Sequence, residues 1–299
     1  MTTQHPLGGV LLFVCGLFLF ACMDTTVKYL TAFYPVPVIA ALRYIVHALL
    51  MLALLAPTQG RQLLQTTRTG WVLVRAACLA GATICMGMAL TTMPLAETTA
   101  IVFLSPLVVV LLAGPLLGEK VALSDWVGAV VGCAGILLIA RPGGVVDLTG
   151  ILFALGAICV MAAYQILSRV LATTERTISM LFYSALFGSV VFGLTLPWYW
   201  DGPLPPPEHL LLFLVVGASG GLGHFLFTAA YRQAPASALA PLMYVQLVWA
   251  GLLGWLVFSH IPDGLAILGM SVVAACGIAV SVKSHRARRK AAAAVDMEP

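Results

Sequence analysis

The chain has 299 residues, 61% of them hydrophobic and only 9% charged, with a formal net charge of +4. A soluble domain carries about a quarter charged residues, so this chain has too little polar surface to stay in water, and no soluble domain fits between its apolar runs. A spanning helix needs roughly 20 apolar residues, and ten such runs use about two thirds of the length.

Leu7–Thr31 follows the segment MTTQHP, which has neither a basic n-region nor a clear cleavage site, and reads as a retained span rather than a signal peptide. Val36–Ala56, Trp71–Thr91, Pro94–Leu117 and Leu123–Ala140 complete a first set of five helices. Thr149–Leu167, Thr177–Trp198, His209–Tyr231, Pro235–Phe258 and Gly264–Val282 form a second. Turn residues mark the breaks: YPVP after helix one, PTQG after two, RPGG after five, DGPLPPP after seven and IPDG after nine. Hydropathy, more than a 3.6-residue period, carries these assignments. The seven cysteines all fall inside apolar runs without metal or redox spacing, and read as small core residues.

Basic residues orient the chain. With the N-terminus inside, Arg61, Arg68, Arg75, Lys120, Arg169, Arg176, Arg232 and five residues of the tail are cytoplasmic, twelve of the fifteen Lys and Arg. Lys28 and Arg141 stay outside, and Arg43 lies within helix two. This matches the positive-inside rule for a multi-pass protein with both termini cytoplasmic; a bacterial inner membrane is the expected location. The basic run KSHRARRK, Lys283–Lys290, leads into the cytoplasmic basic tail 284–299 and serves that topology, with contact to anionic lipid as a secondary reading.

Met93–Lys120, MPLAETTAIVFLSPLVVVLLAGPLLGEK, is echoed by Ala234–Ile261, APASALAPLMYVQLVWAGLLGWLVFSHI, at an offset of 141 residues that sets Pro235 on Pro94. The same offset places Gly9 on Gly150, Ala21 on Ala162, Asp24 on Gln165, Lys28 on Arg169, Phe103 on Tyr244, Ser105 on Gln246 and Gly128 on Gly269, with no gap. Two domains follow: residues 1–141 as a first five-helix repeat and 149–283 as a second. Five is odd, so the second copy enters the membrane in the opposite sense. The expected fold class is an all-α integral membrane protein of ten transmembrane helices in two inverted repeats, the arrangement of many secondary transporters, with the substrate site near the midplane between the halves.

Helix four ends in GEK, DWVGAVVGCAGILLI follows it, and helix one carries ACMDTTVKYL before YPVPVIAALRY. With the five-plus-five arrangement, these segments resemble the EamA-type branch of the drug/metabolite transporter superfamily, and within it the YddG-like amino-acid exporters. The resemblance covers helices one to ten and implies export of amino acids with aromatic or other hydrophobic side chains; a vitamin, nucleotide derivative or drug is the alternative cargo within the superfamily. The second repeat departs from the pattern, with Ser259 and His260 where the Gly-Glu pair belongs.

An ionisable residue inside a span is a functional candidate. Asp24 and Lys28 are four apart on one face of helix one, and Arg43 on helix two is within reach of Asp24. The three form either a structural ion cluster or a charged contact for a zwitterionic solute or a proton. Glu97 stands in the first turn of helix four, where a carboxylate suits the helix dipole. The candidate cavity residues are Asp24, Met86, Phe103, Ser105, Tyr164, Gln165, His224, Tyr244, Gln246 and Trp249: aromatic rings beside a few hydrogen-bonding groups, as an amphipathic solute requires. Pro106 and Pro115 each remove a helix hydrogen bond and are candidate bending or gating points in helix four. The glycines of GASGGLG, Gly217–Gly223, allow close helix approach. No zincin HExxH and no phosphate-cradling Gly-Lys motif is present, so an intramembrane enzyme is disfavoured. The expected partners are a small-molecule substrate and the lipid bilayer, with no nucleic acid, cofactor or metal. Helices five and ten could face lipid or a second copy, which leaves monomer and dimer both open.

Overall fold

A computed structural model describes residues 6–105, 107–109, 111–112, 123–139, 147–200, 202–233 and 239–295. Among them are ten α-helices and no strand: α1 (Pro6–Leu30), α2 (Val36–Gln59), α3 (Thr69–Thr92), α4 (Leu95–Val102), α5 (Leu123–Ile139), α6 (Leu148–Leu171), α7 (Thr177–Tyr199), α8 (Pro207–Gln233), α9 (Val245–Phe258) and α10 (Gly264–Val295). Short 3₁₀ segments cover Gly60–Leu64 after α2 and Ala240–Tyr244 before α9.

The helix ends follow local chemistry. Pro35 precedes α2, and Asp147 starts α6 by accepting from the N–H groups of Thr149 (2.9 Å) and Gly150 (3.2 Å). Helix α2 runs through Pro57 to Gln59, beyond the expected Ala56, and stops at Gly60, whose φ of 50° suits a residue without a side chain. The basic segment after Val282 was expected as a tail, yet α10 continues through it to Val295.

Helix four differs most from expectation. The Pro94–Leu117 span is interrupted: α4 ends at Val102, Phe103 and Leu104 form a turn, and helical turns resume at Ser105. Leu104 N–H reaches the Ile101 carbonyl and Leu107 N–H the Leu104 carbonyl, the tight i→i+3 pattern of a 3₁₀ turn. The equivalent stretch of the second repeat is broken alike, by the 3₁₀ segment that ends on Tyr244, the counterpart of Phe103. Pro106, Pro115, Glu119 and Lys120 lie outside the described residues.

Packing shows the two-fold relation directly. Helix α1 packs on α8 as α6 packs on α3; α2 on α8 as α7 on α3; and α1 on α9 as α6 on α4. The self-equivalent pairs α2–α7, α4–α9 and α5–α10 also pack together. Exchanging the halves leaves this pattern unchanged, as two inverted five-helix repeats require. GASGGLG lets α8 come close to α1. A Cβ on Gly16 would stand 3.2 Å from the Gly223 carbonyl oxygen, and one on Gly223 would stand 3.4 Å from the Gly16 carbonyl oxygen.

Among the described residues, six helices are long and apolar enough to cross a membrane, namely α1, α2, α3, α6, α7 and α8; the fourth and fifth of each repeat are shorter apolar helices. Large apolar side chains such as Leu137, Leu54 and Val130 point outward, as in a chain solvated by hydrocarbon. The seven cysteines are free but are not core residues: Cys15, Cys133 and Cys159 lie on the outside and the others are half-buried.

Candidate functional site

A cavity of about 500 Å³ lies between the halves, walled by α1, α2, α3, α4, α6 and α8, with the start of α7 and Met243 and Gln246 contributing from either side of the α9 break. Its lining repeats the two-fold relation. Phe20 and Met161, Met23 and Tyr164, Asp24 and Gln165, Thr83 and His224, Met86 and Phe227, Val102 and Met243, and Ser105 and Gln246 are repeat counterparts, and both members of every pair line it.

Even the hydrogen bonds correspond. Gln246 Nε2 donates to Asp24 Oδ2 at 3.4 Å, and Gln165 Nε2 donates to Ser105 Oγ at 3.3 Å. Each bond ties the first helix of one repeat to the broken fourth helix of the other half. The acceptors differ: the Gln246 bond ends on a carboxylate and the Gln165 bond on a hydroxyl.

Eight of the ten residues named from the sequence line the cavity: Asp24, Met86, Phe103, Ser105, Tyr164, Gln165, His224 and Gln246. Tyr244 does not. Its ring is buried against Phe103 in the core between α4 and α10, and Gly277 leaves room for its hydroxyl. Trp249 does not either, its ring packing edge-on to Phe18 at 5.0 Å. Both follow one helix turn or less from lining residues, and rotation about the helix axis carries them off the cavity face.

The expected ion cluster is also rearranged. No ion pair within 4.0 Å joins Asp24 to Lys28 or Arg43. Lys28 Nζ instead donates to the carbonyls of Leu90 (3.0 Å) and Met93 (2.7 Å), and so caps the C-terminal end of α3 with a cation. Arg43 borders the cavity beside Asp24, with its Cζ 5.3 Å from the Tyr44 ring centroid. Its Nη1 makes one long bond to Thr83 Oγ1 (3.4 Å), and its buried Nε has no acceptor. Glu97 does more than face a dipole: it is buried, with Oε1 2.8 Å from Nε2 of His260. His260, which breaks the GEK pattern in the second repeat, is thus the partner of Glu97 at the start of α4.

Arg75 is a buried cavity residue that the sequence alone does not single out. It was counted among the cytoplasmic cations, but its guanidinium is buried against the cavity. The signal was its position four residues inside the Trp71–Thr91 run. Thr83, Ser168 and Thr99 also line the cavity and were not singled out. GASGG at Gly217–Gly221 spells G-x-S-x-G, but Ser219 is buried in the middle of continuous α8, not on the strand-to-helix elbow that exposes a nucleophile.

The EamA-like transporter family matches the chain twice, over residues 7–141 and 148–282. The chain is 27% identical over 275 residues to the riboflavin transporter of Vibrio cholerae, covering 90% of this chain and 91% of that protein. It is 30% identical over 214 residues to the S-adenosylmethionine uptake transporter of Rickettsia felis, covering 72% of each. It is 28% identical over 284 residues to the pseudopaline exporter CntI of Pseudomonas aeruginosa, covering 92% of this chain and 96% of that protein. A protein of known crystal structure shares the fold with a TM-score of 0.67 at 20% identity, over 94% of this chain and 98% of its own. Two matched repeats, helices that span a membrane and a cavity between the halves make this chain a multi-pass member of the EamA-like transporter family.

Proposed function

We propose that the chain is a secondary transporter that exports small amphipathic metabolites, amino acids with aromatic or other hydrophobic side chains first among them, by alternating access through the central cavity. One observation carries this reading. Asp24 and Arg43 border the same cavity without an ion pair between them, and each is left with one long hydrogen bond to a neutral neighbour, Asp24 accepting from Gln246 and Arg43 donating to Thr83. An ammonium beside Asp24 and a carboxylate beside Arg43 would satisfy both. Phe20, Met23, Met86, Phe103, Met161 and Phe227 supply the apolar wall a hydrophobic side chain needs. The matching breaks of the fourth and ninth helices beside the cavity support this reading, since discontinuous helices at the repeat interface are a feature of alternating-access transporters.

A second reading, a larger metabolite as cargo, is favoured by the cavity volume of about 500 Å³. The names of three relatives, for riboflavin, S-adenosylmethionine and pseudopaline, point the same way. The positive-inside count supports a bacterial inner-membrane location with cytoplasmic termini. The test is uptake by proteoliposomes of labelled phenylalanine, methionine and threonine, with riboflavin and S-adenosylmethionine as parallel arms. Faster entry of an amino acid than into empty vesicles, saturable and showing counterflow, is expected. Transport confined to the larger solutes would replace the first reading by the second.

A further inference from the structure

Arg75 stands apart from the Asp24–Arg43 wall. Its side chain is 4% exposed and borders the cavity. Nε donates to Ser168 Oγ at 2.6 Å, Nη1 to Ser184 Oγ at 3.0 Å and to the Met180 carbonyl at 3.2 Å, and Nη2 to the Tyr164 hydroxyl at 2.7 Å. The guanidinium carbon lies 4.4 Å from the centroid of the Tyr164 ring. These contacts fix the fork in one orientation, yet every acceptor is neutral, so the positive charge is held in place and not cancelled. A guanidinium has five N–H donors; the four bonds leave one, on Nη2, beside the cavity-lining Tyr164.

The charge count points the same way. Among the described residues, the charged side chains lining the cavity are Asp24, Arg43 and Arg75, one acid against two bases, all from the first repeat. Glu175, on the loop after α6, is taken up by Thr67 and Arg68. A buried cation facing low-dielectric surroundings is costly unless an anion meets it. Spacing separates Arg75 from the other charges. Arg75, Leu79, Ala82, Thr83 and Met86 form the cavity face of α3, and Thr83, the residue Arg43 touches, is eight positions on, about 12 Å at 1.5 Å per residue. Measured along the axis of α3, that spacing exceeds the separation of the ammonium and carboxylate of an α-amino acid, which sit on a single carbon.

We propose that Arg75 is a second docking point, distinct from the Asp24–Arg43 head site, for an oxyanion (carboxylate or phosphate) carried on the far part of the solute. Its cargo assignment rests on the transport reading. The solute class is then an elongated amphipathic metabolite with a polar head at one end, an acid at the other and an apolar middle.

The test uses the purified full chain in detergent, with binding read by ligand-induced shift in unfolding midpoint and converted to dissociation constants. The probes are pairs that differ by one acid: phenylalanine against 4-carboxyphenylalanine for the carboxylate, and tyrosine against O-phosphotyrosine and riboflavin against riboflavin 5′-phosphate for the phosphate. In at least one pair the acid is expected to bind about tenfold tighter than its neutral mate, the size of one charge-assisted contact. Arg75→Gln should erase that preference to within about twofold, and Arg75→Lys, which keeps charge but loses the fork, should retain part of it. No preference in any pair with the unaltered protein overturns the proposal even if Arg75→Gln fails to fold. A folded Arg75→Gln protein that keeps the full preference overturns it as well. Acid preference without flux into proteoliposomes would defeat the transport reading alone; flux without acid preference would defeat this one alone.

Discussion

Phe103 and Tyr244 occupy equivalent positions 141 residues apart in the two repeats, and their rings meet edge to face with centroids 5.7 Å apart. Residues related by a two-fold axis touch each other only where they lie beside that axis. Each also stands at the break in its helix, so the two breaks meet at this contact. Only Phe103 turns a face to the cavity; Tyr244 is packing.

That difference separates two substitutions. Tyr244→Ala opens a void in a buried cluster and should cost about 3–5 kcal/mol of stability, seen as a lower unfolding midpoint at any solute concentration. Asp24→Asn removes a poorly bonded charge and should change stability by less than about 1 kcal/mol, while phenylalanine flux falls by an order of magnitude or more. Normal flux in folded Asp24→Asn and Gln246→Ala would remove both residues from the solute site.

The Glu97–His260 contact joins the start of α4 to the residues after α9, and one oxygen of Glu97 already lacks a partner. His260→Ala should therefore be costly, because it strands a buried carboxylate. Adding Glu97→Ala should recover part of the loss. A double-mutant cycle on unfolding midpoints should return a coupling of about 1–3 kcal/mol; purely additive effects would mean the pair is incidental.

Ser259 ends α9 with a left-handed φ of 53°, at the position where the first repeat has Gly118. A side chain in that conformation is strained by about 1–2 kcal/mol relative to glycine. Ser259→Gly should raise the unfolding midpoint and leave flux unchanged.

Glu175 lies in the α6–α7 loop, outside the spans, and ties it to the loop before α3. Burial by itself pushes its carboxyl upward. Hydrogen bonds from the Thr67 hydroxyl and from the N–H groups of Thr67 and Arg68, with the charge of Arg68, outweigh that and hold it below the ordinary glutamate value of 4.5. A carboxylate whose folded pKa is depressed stabilises fully above its unfolded value, and the contribution is lost as pH falls through the folded one. Glu175→Gln should thus lower the midpoint at pH 7, with the gap to the unaltered protein closing from about pH 4.5 downward. A gap constant with pH would assign the effect to packing.

Composition by itself determined the solvent of this protein: a chain with 9% charged residues has nowhere stable but hydrocarbon. The gapless offset of 141 residues determined the architecture, because an odd number of helices per copy forces inversion. It relates seven pairs of lining residues as counterparts, and for two of them, Asp24 with Gln165 and Ser105 with Gln246, the sequence names both members. What the tertiary structure decided was azimuth and partner. Tyr244 and Gln246 are two residues apart, yet helical rotation buries one ring and turns the other side chain to Asp24. Arg75 belongs to a cytoplasmic count by sequence, and only the approach of α6 and α7 encloses it beside the cavity. Glu97 and His260 are 163 residues apart, and no local pattern links them. Helix periodicity is a property of neighbours along the chain; which faces meet across the molecule is settled by packing, and the charges that define this cavity are placed by it.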